Sequence, residues 1–212
     1  METYDLFLQS PFTMVIAGAT GSGKSFWVKE LIEKAQSISK PPPSKIIYFY
    51  GEYQPIFGQM EHVNFIHGLS EELIANIEGG NENIWVIIDD LMSESSKSSI
   101  ISDLFTKGSH HRNISIILIV QNFFQKGREM RNITLNAQYI VLFKNVRDRS
   151  LASNLARQMY PDRVRSFQRI FEEATKDEFS YLFIDLKPRT PEEIRLRSHV
   201  LGEKNFVPIY SI

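Results

Sequence analysis

Apolar residues in this chain are grouped into short runs that polar or amphipathic stretches separate. Six runs of five to seven residues are rich in β-branched and aromatic side chains, which is typical of buried strands. The predicted strands cover residues 12–17, 46–50, 84–88, 114–120, 139–143 and 181–186. Alternating apolar and basic residues over 194–200 predict one last strand at a sheet edge.

The stretches between these runs show apolar residues at helical spacing. They predict helices over residues 26–35, 70–77 (capped by Ser70), 100–107, 151–160 and 164–174, with an irregular segment over 54–68. Fully apolar strands separated by helices indicate an α/β fold, with a mostly parallel sheet covered by helices on both faces. We expect one domain over residues 1–212.

Composition and net charge exclude some kinds of site and some classes of protein. The chain of 212 residues has a net charge of −1, so any nucleic-acid site must be a local patch. It has no cysteine, which excludes disulfides, thiolate metal sites and cysteine nucleophiles and suits an intracellular protein. No apolar run approaches the roughly 18 residues of a membrane span, and the N-terminus lacks a signal-peptide pattern. We therefore expect a soluble protein without a membrane partner.

The stretch between the first strand and the first helix matches the P-loop pattern G-x-x-x-x-G-K-[ST]. Backbone N–H groups of such a loop bind phosphate oxygens at a helix N-terminus. Lys24 would reach the β- and γ-phosphates of a nucleoside triphosphate, and the Ser25 hydroxyl would hold Mg²⁺. The predicted nucleotide-binding residues are Gly18, Ala19, Thr20, Gly21, Ser22, Gly23, Lys24 and Ser25.

Two carboxylates follow the third apolar run. Asp89 is predicted to hold Mg²⁺ beside Ser25, and Asp90 to activate the attacking water. Their mutual repulsion favours a bound cation. A GTPase would need glycine where Met92 stands and a lysine within 145–148, so the guanine class fails on both counts. The second acid also disfavours a small-molecule kinase.

Polar residues flank the fourth strand. Gln121 ends it and is a candidate contact for the γ-phosphate. Arg112 precedes it and is a candidate arginine finger acting on a neighbouring subunit, a role for which Arg128 and Arg131 compete and to which a solvated loop arginine is the alternative. His110 and His111 lack metal-ligand neighbours, and they suit phosphate or DNA contact, or a hydrogen-bonded loop, better than zinc.

Residues 126–169 carry ten Lys/Arg and three acidic residues inside a nearly neutral chain. This surplus indicates a surface that faces DNA or another subunit. Several solvated helix faces would give the same count, so the alternatives stay open.

Several motifs lie in a characteristic order along nearly the whole chain: residues 18–25, 87–90, 109–115, 121–124, 131–136, 143–148, 156–161 and 194–197. On these motifs the chain resembles the viral genome-packaging ATPases of the FtsK/HerA superfamily. Its nearest resemblance is to the branch of Polinton-like elements and adintoviruses, which is related to the poxvirus packaging ATPase.

The resemblance implies a RecA-like P-loop NTPase whose fourth strand lies between the first and the third. It further implies a hexameric or pentameric ring with ATP between subunits. The cofactors implied are ATP and Mg²⁺, and the partners are double-stranded DNA and capsid vertex proteins. By similarity Lys24 and Ser25 bind ATP·Mg²⁺ and Gln121 senses phosphate, while Asp89 holds the metal and Asp90 is the base. The superfamily usually has Asp-Glu there.

The expected function is an ATP-driven motor that pumps viral DNA into a preformed capsid. It would act in the infected cell, in the nucleus or at an assembly site, and at the capsid vertex. Two alternatives stay open. One is a DNA translocase or helicase used in replication or partition, and the other is an ATP-binding assembly switch with little hydrolysis.

Overall fold

A computed structural model of the chain describes residues 6–77, 79–89, 91, 99–108, 112–124, 127–148, 150–202 and 207–212. The strands within these ranges are β1 (Leu8–Gln9), β2 (Thr13–Ala17), β3 (Ser39–Lys40), β4 (Lys45–Tyr50), β5 (Val63–His67), β6 (Ile84–Asp89), β7 (Ile114–Val120), β8 (Tyr139–Phe143), β9 (Tyr181–Asp185), β10 (Leu196–Arg197) and β11 (Ile209–Tyr210). Strands β1 and β3 pair with each other, and the other nine form one sheet in the order β11-β10-β9-β8-β2-β7-β6-β4-β5.

The helices are α1 (Lys24–Glu33), α2 (Ala35–Ile38), α3 (Glu71–Ala75), α4 (Ser99–Asp103), α5 (Arg128–Leu135), α6 (Ser150–Met159) and α7 (Val164–Ala174). Short 3-10 turns cover Pro55–Gln59, Pro161–Arg163 and Glu192–Ile194, and α4 continues as a π-helical turn over Leu104–Gly108. None of the helices in the described ranges combines the length and the apolar composition needed to cross a bilayer.

Two apolar layers enclose the sheet. Alternate residues of a strand point to opposite faces, and in β2 Met14 and Ile16 pack in the layer that includes α1, whereas Val15 and Ala17 pack in the layer that includes α5, α6 and α7. All five β2 side chains are buried. The central position of β2 therefore fixes the loop that follows it.

Strands β5, β4, β6, β7, β2 and β8 run parallel, while β9, β10 and β11 extend the sheet antiparallel. The mostly parallel α/β sheet is thus confirmed, and β7 lies between β2 and β6 as the resemblance implies. The parallel strands end at one side of the sheet, called here the carboxyl edge. The opposite side is the amino edge.

All six predicted strands are present within one residue at each end. The prediction of an irregular segment over 54–68 is wrong for β5, which pairs with β4 at the sheet edge. Most of its side chains are only partly buried, so its sequence lacks a long apolar run. The strand predicted over 194–200 is present as β10, but it is shorter than predicted, and β11 rather than β10 lies at the sheet edge.

Candidate functional site

The loop between β2 and α1 has the geometry of a phosphate cradle. Gly23 caps α1 with φ 101°, in the left-handed region that glycine adopts without strain. At Gly18 a Cβ atom would lie 2.6 Å from the Cβ of Phe143 and 2.7 Å from the Ser22 hydroxyl oxygen. Larger side chains at these two positions would therefore disturb the loop.

The start of α1 is arranged for an anion. No side chain caps its first turn, and that turn holds no acidic residue. The first N–H groups of a helix have no partner within the helix, and the helix dipole adds partial positive charge there. The Lys24 ammonium donates to the carbonyl oxygens of Gly18 and Ala19 at 2.7 and 2.9 Å, which holds its charge against the loop. This arrangement is suited to binding phosphate oxygens.

Strand register brings two of the predicted site residues, Asp89 and Gln121, to this loop. Ala17 at the end of β2 is paired with Val120 at the end of β7, and Asp89 at the end of β6 is paired with Ile119. Gln121 follows directly and lines a cavity of about 260 Å³ together with Lys24, Ser25 and Asp89. The structure therefore places Ser25, Asp89 and Gln121 beside one another at the carboxyl edge, as their sequence positions predict.

Two neutral donors are among the groups that hold Asp89. The residue is only 4% exposed, and its Oδ2 accepts hydrogen bonds from the Tyr48 hydroxyl at 2.7 Å and the Gln54 amide at 3.4 Å. Burial, followed by the charge of Asp89 and the hydrogen bond to it, raises the pKa of Tyr48 far above its usual value. Tyr48 therefore remains a donor at any physiological pH, and it orients the carboxylate without neutralising it.

The residues of this cavity fit ATP with Mg²⁺. Ser25 and Asp89 offer a hydroxyl and a carboxylate oxygen, the hard ligands that Mg²⁺ takes in small number before completing its shell with water and phosphate oxygens. The Ser22 hydroxyl oxygen is buried and has no hydrogen-bond partner within the described ranges. Together with the uncapped start of α1, this leaves both a metal-binding set and donors for phosphate.

Sequence reasoning missed three residues of the site. Tyr48 and Gln54 hold Asp89, and Glu52 lines the same cavity. They come from the end of β4 and the turn after it. Because parallel strands end at the same edge, the tyrosine inside the second apolar run and the polar residues Glu52 and Gln54 that follow the run are the signal that would have found them. The interpretation of residues 54–68 as irregular passed over Gln54.

Arg112 lies at the opposite end of the strands from the nucleotide cavity. It comes just before β7, whose seven residues span about 23 Å, so it stands at the amino edge. Its guanidinium donates to the carbonyl oxygens of Ala75 at 2.9 Å and Ile74 at 3.5 Å, at the end of α3. Arg112 is therefore no part of the nucleotide cavity of its own chain. Its predicted role in a neighbouring subunit's site stays a prediction, as do those of Arg128 and Arg131.

Three other predicted residues lie outside the described residues. They are the predicted base Asp90 and the two histidines His110 and His111. Their roles stay predictions from the sequence.

Comparison with known proteins yields structural similarity alone, since no family model and no curated protein matches the sequence. The genome-packaging NTPase B204 of Sulfolobus turreted icosahedral virus 2, in complex with ATP-gammaS, superposes with a TM-score of 0.59 at 16% identity, covering 89% of this chain and 96% of that one. The DNA-packaging ATPase B204 of Sulfolobus turreted icosahedral virus gives 0.60 at 14% identity, with coverages of 90% and 97%. The cytoplasmic domain of the Type VII secretion ATPase EccC of Thermomonospora curvata gives 0.53 at 15% identity, with coverages of 84% and 24%.

Sheet order, P-loop and structural similarity define the class. The chain has the fold of the RecA-like P-loop NTPases, with the phosphate loop after a central strand and an acidic residue ending a strand two positions away. At these identities the likeness to the packaging proteins and to the secretion ATPase extends to the fold alone.

Proposed function

We propose that this chain is a Mg²⁺-dependent ATPase that moves viral double-stranded DNA into a preformed capsid, as one subunit of a hexameric or pentameric ring. The observation that carries the ATPase assignment is the convergence of Lys24, Ser25, Asp89 and Gln121 on one cavity beside the uncapped start of α1. The proposal treats residues 1–212 as one P-loop ATPase domain.

The proposed reaction transfers the γ-phosphoryl group of ATP to water. The water oxygen bonds to the γ-phosphorus, the bond from that phosphorus to the bridging oxygen breaks, and ADP leaves. Lys24 and the loop N–H groups stabilise the charge on the phosphate oxygens. Asp90 takes the proton of the water, and Gln121 contacts the γ-phosphate. Ser25 and Asp89 would hold a Mg²⁺ ion, which would supply positive charge to the phosphate oxygens.

The packaging assignment rests on two supports. The motif series of the sequence resembles viral packaging ATPases, and the fold is similar over 89–90% of the chain to two proteins that are named genome- or DNA-packaging enzymes. The assignment to the Polinton-like and adintovirus branch rests on the motifs alone. Capsid vertex proteins and the infected cell as the place of action are parts of the same proposal.

DNA contact is proposed for the basic surface of α6 and α7. Arg165 and Arg169 stand one helical turn apart on α7 and are exposed, and Arg157 is exposed on α6. Arginines at this spacing share one helix face and suit a row of phosphates. Replacing both α7 arginines with glutamine should lower the slope of log affinity against log salt by about two, roughly one for each phosphate that is no longer neutralised.

The matched control on α7 replaces the exposed residues Glu172 and Glu173 with glutamine, which should raise DNA affinity or leave it unchanged. An unaltered salt slope in the double arginine variant would assign this surface to a subunit interface or to solvent.

The deciding experiment measures ATP turnover of the purified protein with and without long double-stranded DNA, while light scattering records the oligomer size. Variants Lys24→Ala and Asp90→Asn should lose turnover. The exposed residues Lys45 and Asp162 provide matched controls as Lys45→Ala and Asp162→Asn, which should keep it. ATP turnover that is stimulated by DNA and found in the fraction that contains the ring would support the motor.

Other outcomes would select other functions. ATP binding without turnover, in a confirmed ring with DNA present, would contradict the motor and support an assembly switch. Separation of the two DNA strands during turnover would support a helicase.

A further inference from the structure

Two exposed aromatic rings stand beside the phosphate loop on the side away from Asp89. Phe26 follows Ser25 in α1 and is 61% exposed, and Phe179, just before β9, is 62% exposed. Both line a cavity of about 270 Å³ that begins at Gly23. A single exposed phenylalanine needs no explanation, but two in one cavity at the mouth of a phosphate site do.

Phe179 is held in a strained backbone conformation. Its φ is 60°, in the left-handed region that bulky side chains avoid. A turn over 177–180 fixes it there, because the backbone N–H and the hydroxyl of Ser180 both donate to the carbonyl oxygen of Asp177, at 3.3 and 2.7 Å. Strain that the surroundings maintain in this way is typical of binding sites.

The ring of Phe179 is positioned by the P-loop itself. A Cβ atom on Gly23 would lie 2.9 Å from its Cδ1 atom, so the absence of a side chain at Gly23 lets the ring lie against the loop. Phe179 thus lies against Gly23, the residue that caps α1, while most of Phe179 stays open to solvent. Any ligand bound in the loop extends past this ring if it leaves on the side of β9.

Charge distinguishes two of the cavities beside the loop. The cavity at Asp89 holds Lys24 and the residues that fit Mg²⁺, so the γ-phosphate end of a nucleotide belongs there. The aromatic cavity carries Asp177 and Glu178 on its wall, which repel phosphate but accept hydrogen bonds from amino and hydroxyl groups. The uncharged nucleoside end of the same ligand belongs in the aromatic cavity.

We propose that the nucleobase of the bound triphosphate stacks on Phe179, with Phe26 as the second wall of its cleft. This inference rests on the proposed nucleotide function and adds the part of the site that holds the base. Stacking engages the π-face that every base has, so Phe179 contributes affinity for the nucleoside and leaves the phosphate contacts to the P-loop.

The test compares two ligands, ATP and inorganic tripolyphosphate, by calorimetry at one Mg²⁺ concentration. Phe179→Asn removes the ring while keeping a residue that tolerates left-handed φ. It should weaken ATP binding about 5- to 150-fold, as the loss of one stacked base does, and leave tripolyphosphate binding within about two-fold. Phe179→Tyr should bind ATP like the wild type, and so should Leu135→Ala, which removes an exposed apolar side chain of α5.

Each contrary result has its own meaning. Equal weakening of ATP and tripolyphosphate by Phe179→Asn would overturn the stacking role and make the ring a support of the P-loop. Unchanged ATP binding would overturn it as well. If either of these results is obtained and Lys24→Ala still abolishes ATP binding, the proposed nucleotide-binding function is supported although the stacking role is not. A wild-type protein that binds neither ligand would contradict the proposed function itself.

Discussion

Two buried carboxylates end strands of this sheet, and they are treated in opposite ways. Asp89 at the carboxyl edge is 4% exposed and accepts hydrogen bonds from the neutral groups of Tyr48 and Gln54. Asp185 at the amino edge is 7% exposed, and its Oδ2 lies 2.8 Å from a guanidinium nitrogen of Arg197. The first arrangement orients a negative charge toward a cavity, and the second neutralises it inside the fold.

This difference distinguishes a carboxylate with a proposed role in ligand binding from one that supports the fold. A buried carboxylate paired with arginine has little charge left for a metal ion, whereas a hydrogen bond from a neutral tyrosine orients a carboxylate without neutralising it. The Asp185–Arg197 pair joins β9 to β10 in the antiparallel extension of the sheet. Burial of Arg197 lowers its pKa even though Asp185 acts against this shift. Four predictions probe the comparison, from the largest expected effect to the smallest.

Removing one partner of the Asp185–Arg197 pair should strongly destabilise the fold. Arg197→Met leaves a buried carboxylate without its cation and should lower the free energy of unfolding by about 3–5 kcal/mol. The double variant Arg197→Met/Asp185→Leu should recover much of that loss, because no charge stays buried. Urea unfolding measures both, and equal losses in the two variants would show that Arg197 acts through packing alone.

The corresponding change at Asp89 should act on activity instead. Asp89→Asn keeps an acceptor for Tyr48, so without Mg²⁺ the free energy of unfolding should change by less than about 1 kcal/mol. ATP turnover should fall at least about 100-fold, since the metal loses its charged ligand. Turnover assays and urea unfolding of the same preparation test the pair of expectations. If Asp89→Asn lost much stability but kept its activity, Asp89 would support the fold as Asp185 does, which would contradict the proposed difference between the two carboxylates.

Tyr48→Phe should weaken the metal site without emptying it of ligands. It removes the 2.7 Å hydrogen bond that orients Asp89, and loss of such a partner typically costs about tenfold or more in metal affinity. The Mg²⁺ concentration that gives half-maximal turnover should therefore rise about tenfold. The nearby Tyr50→Phe provides a control that leaves this bond intact. An unchanged Mg²⁺ requirement would show that the hydrogen bond from Tyr48 is not needed to orient the carboxylate.

The smallest expected effect concerns Lys187 at the amino edge, whose ammonium donates to the Gln9 carbonyl oxygen at 2.6 Å. Burial, opposed by the charge of Asp185, lowers the pKa of Lys187 to about 8 from its usual 10.5. Between these two pH values the unfolded chain binds more protons at this residue than the folded one, so its contribution to the free energy of unfolding rises with pH.

Lys187→Gln removes this titration. The stability of the wild type relative to the variant should therefore increase from pH 7.5 to pH 10, by less than about 1 kcal/mol because the residue is only partly buried. Urea unfolding of both proteins at the two pH values gives the comparison. A constant difference would show that the charge of Lys187 is fully solvated in the fold.

Much of this fold follows from local patterns. Continuous apolar runs predicted six strands within one residue at each end, because a strand buried on both faces needs apolar side chains at every position. β5 escaped prediction since an edge strand buries only part of its side chains. α5 was also not anticipated; its short sequence, with Arg128 and Arg131 in its first turns, carries few apolar positions.

The P-loop and the acid at the end of the third apolar run could be recognised from the sequence alone, because phosphate and metal binding require particular residue types at fixed spacing. Only the tertiary structure decided which polar groups meet them. Strand order brings Tyr48 and Gln54 to Asp89 and carries Arg112 to the far edge, and the turn before β9 sets Phe179 against Gly23. These contacts join residues that are distant along the chain. Such residues become neighbours only through the register of the sheet, so their spacing in the sequence does not predict the contact.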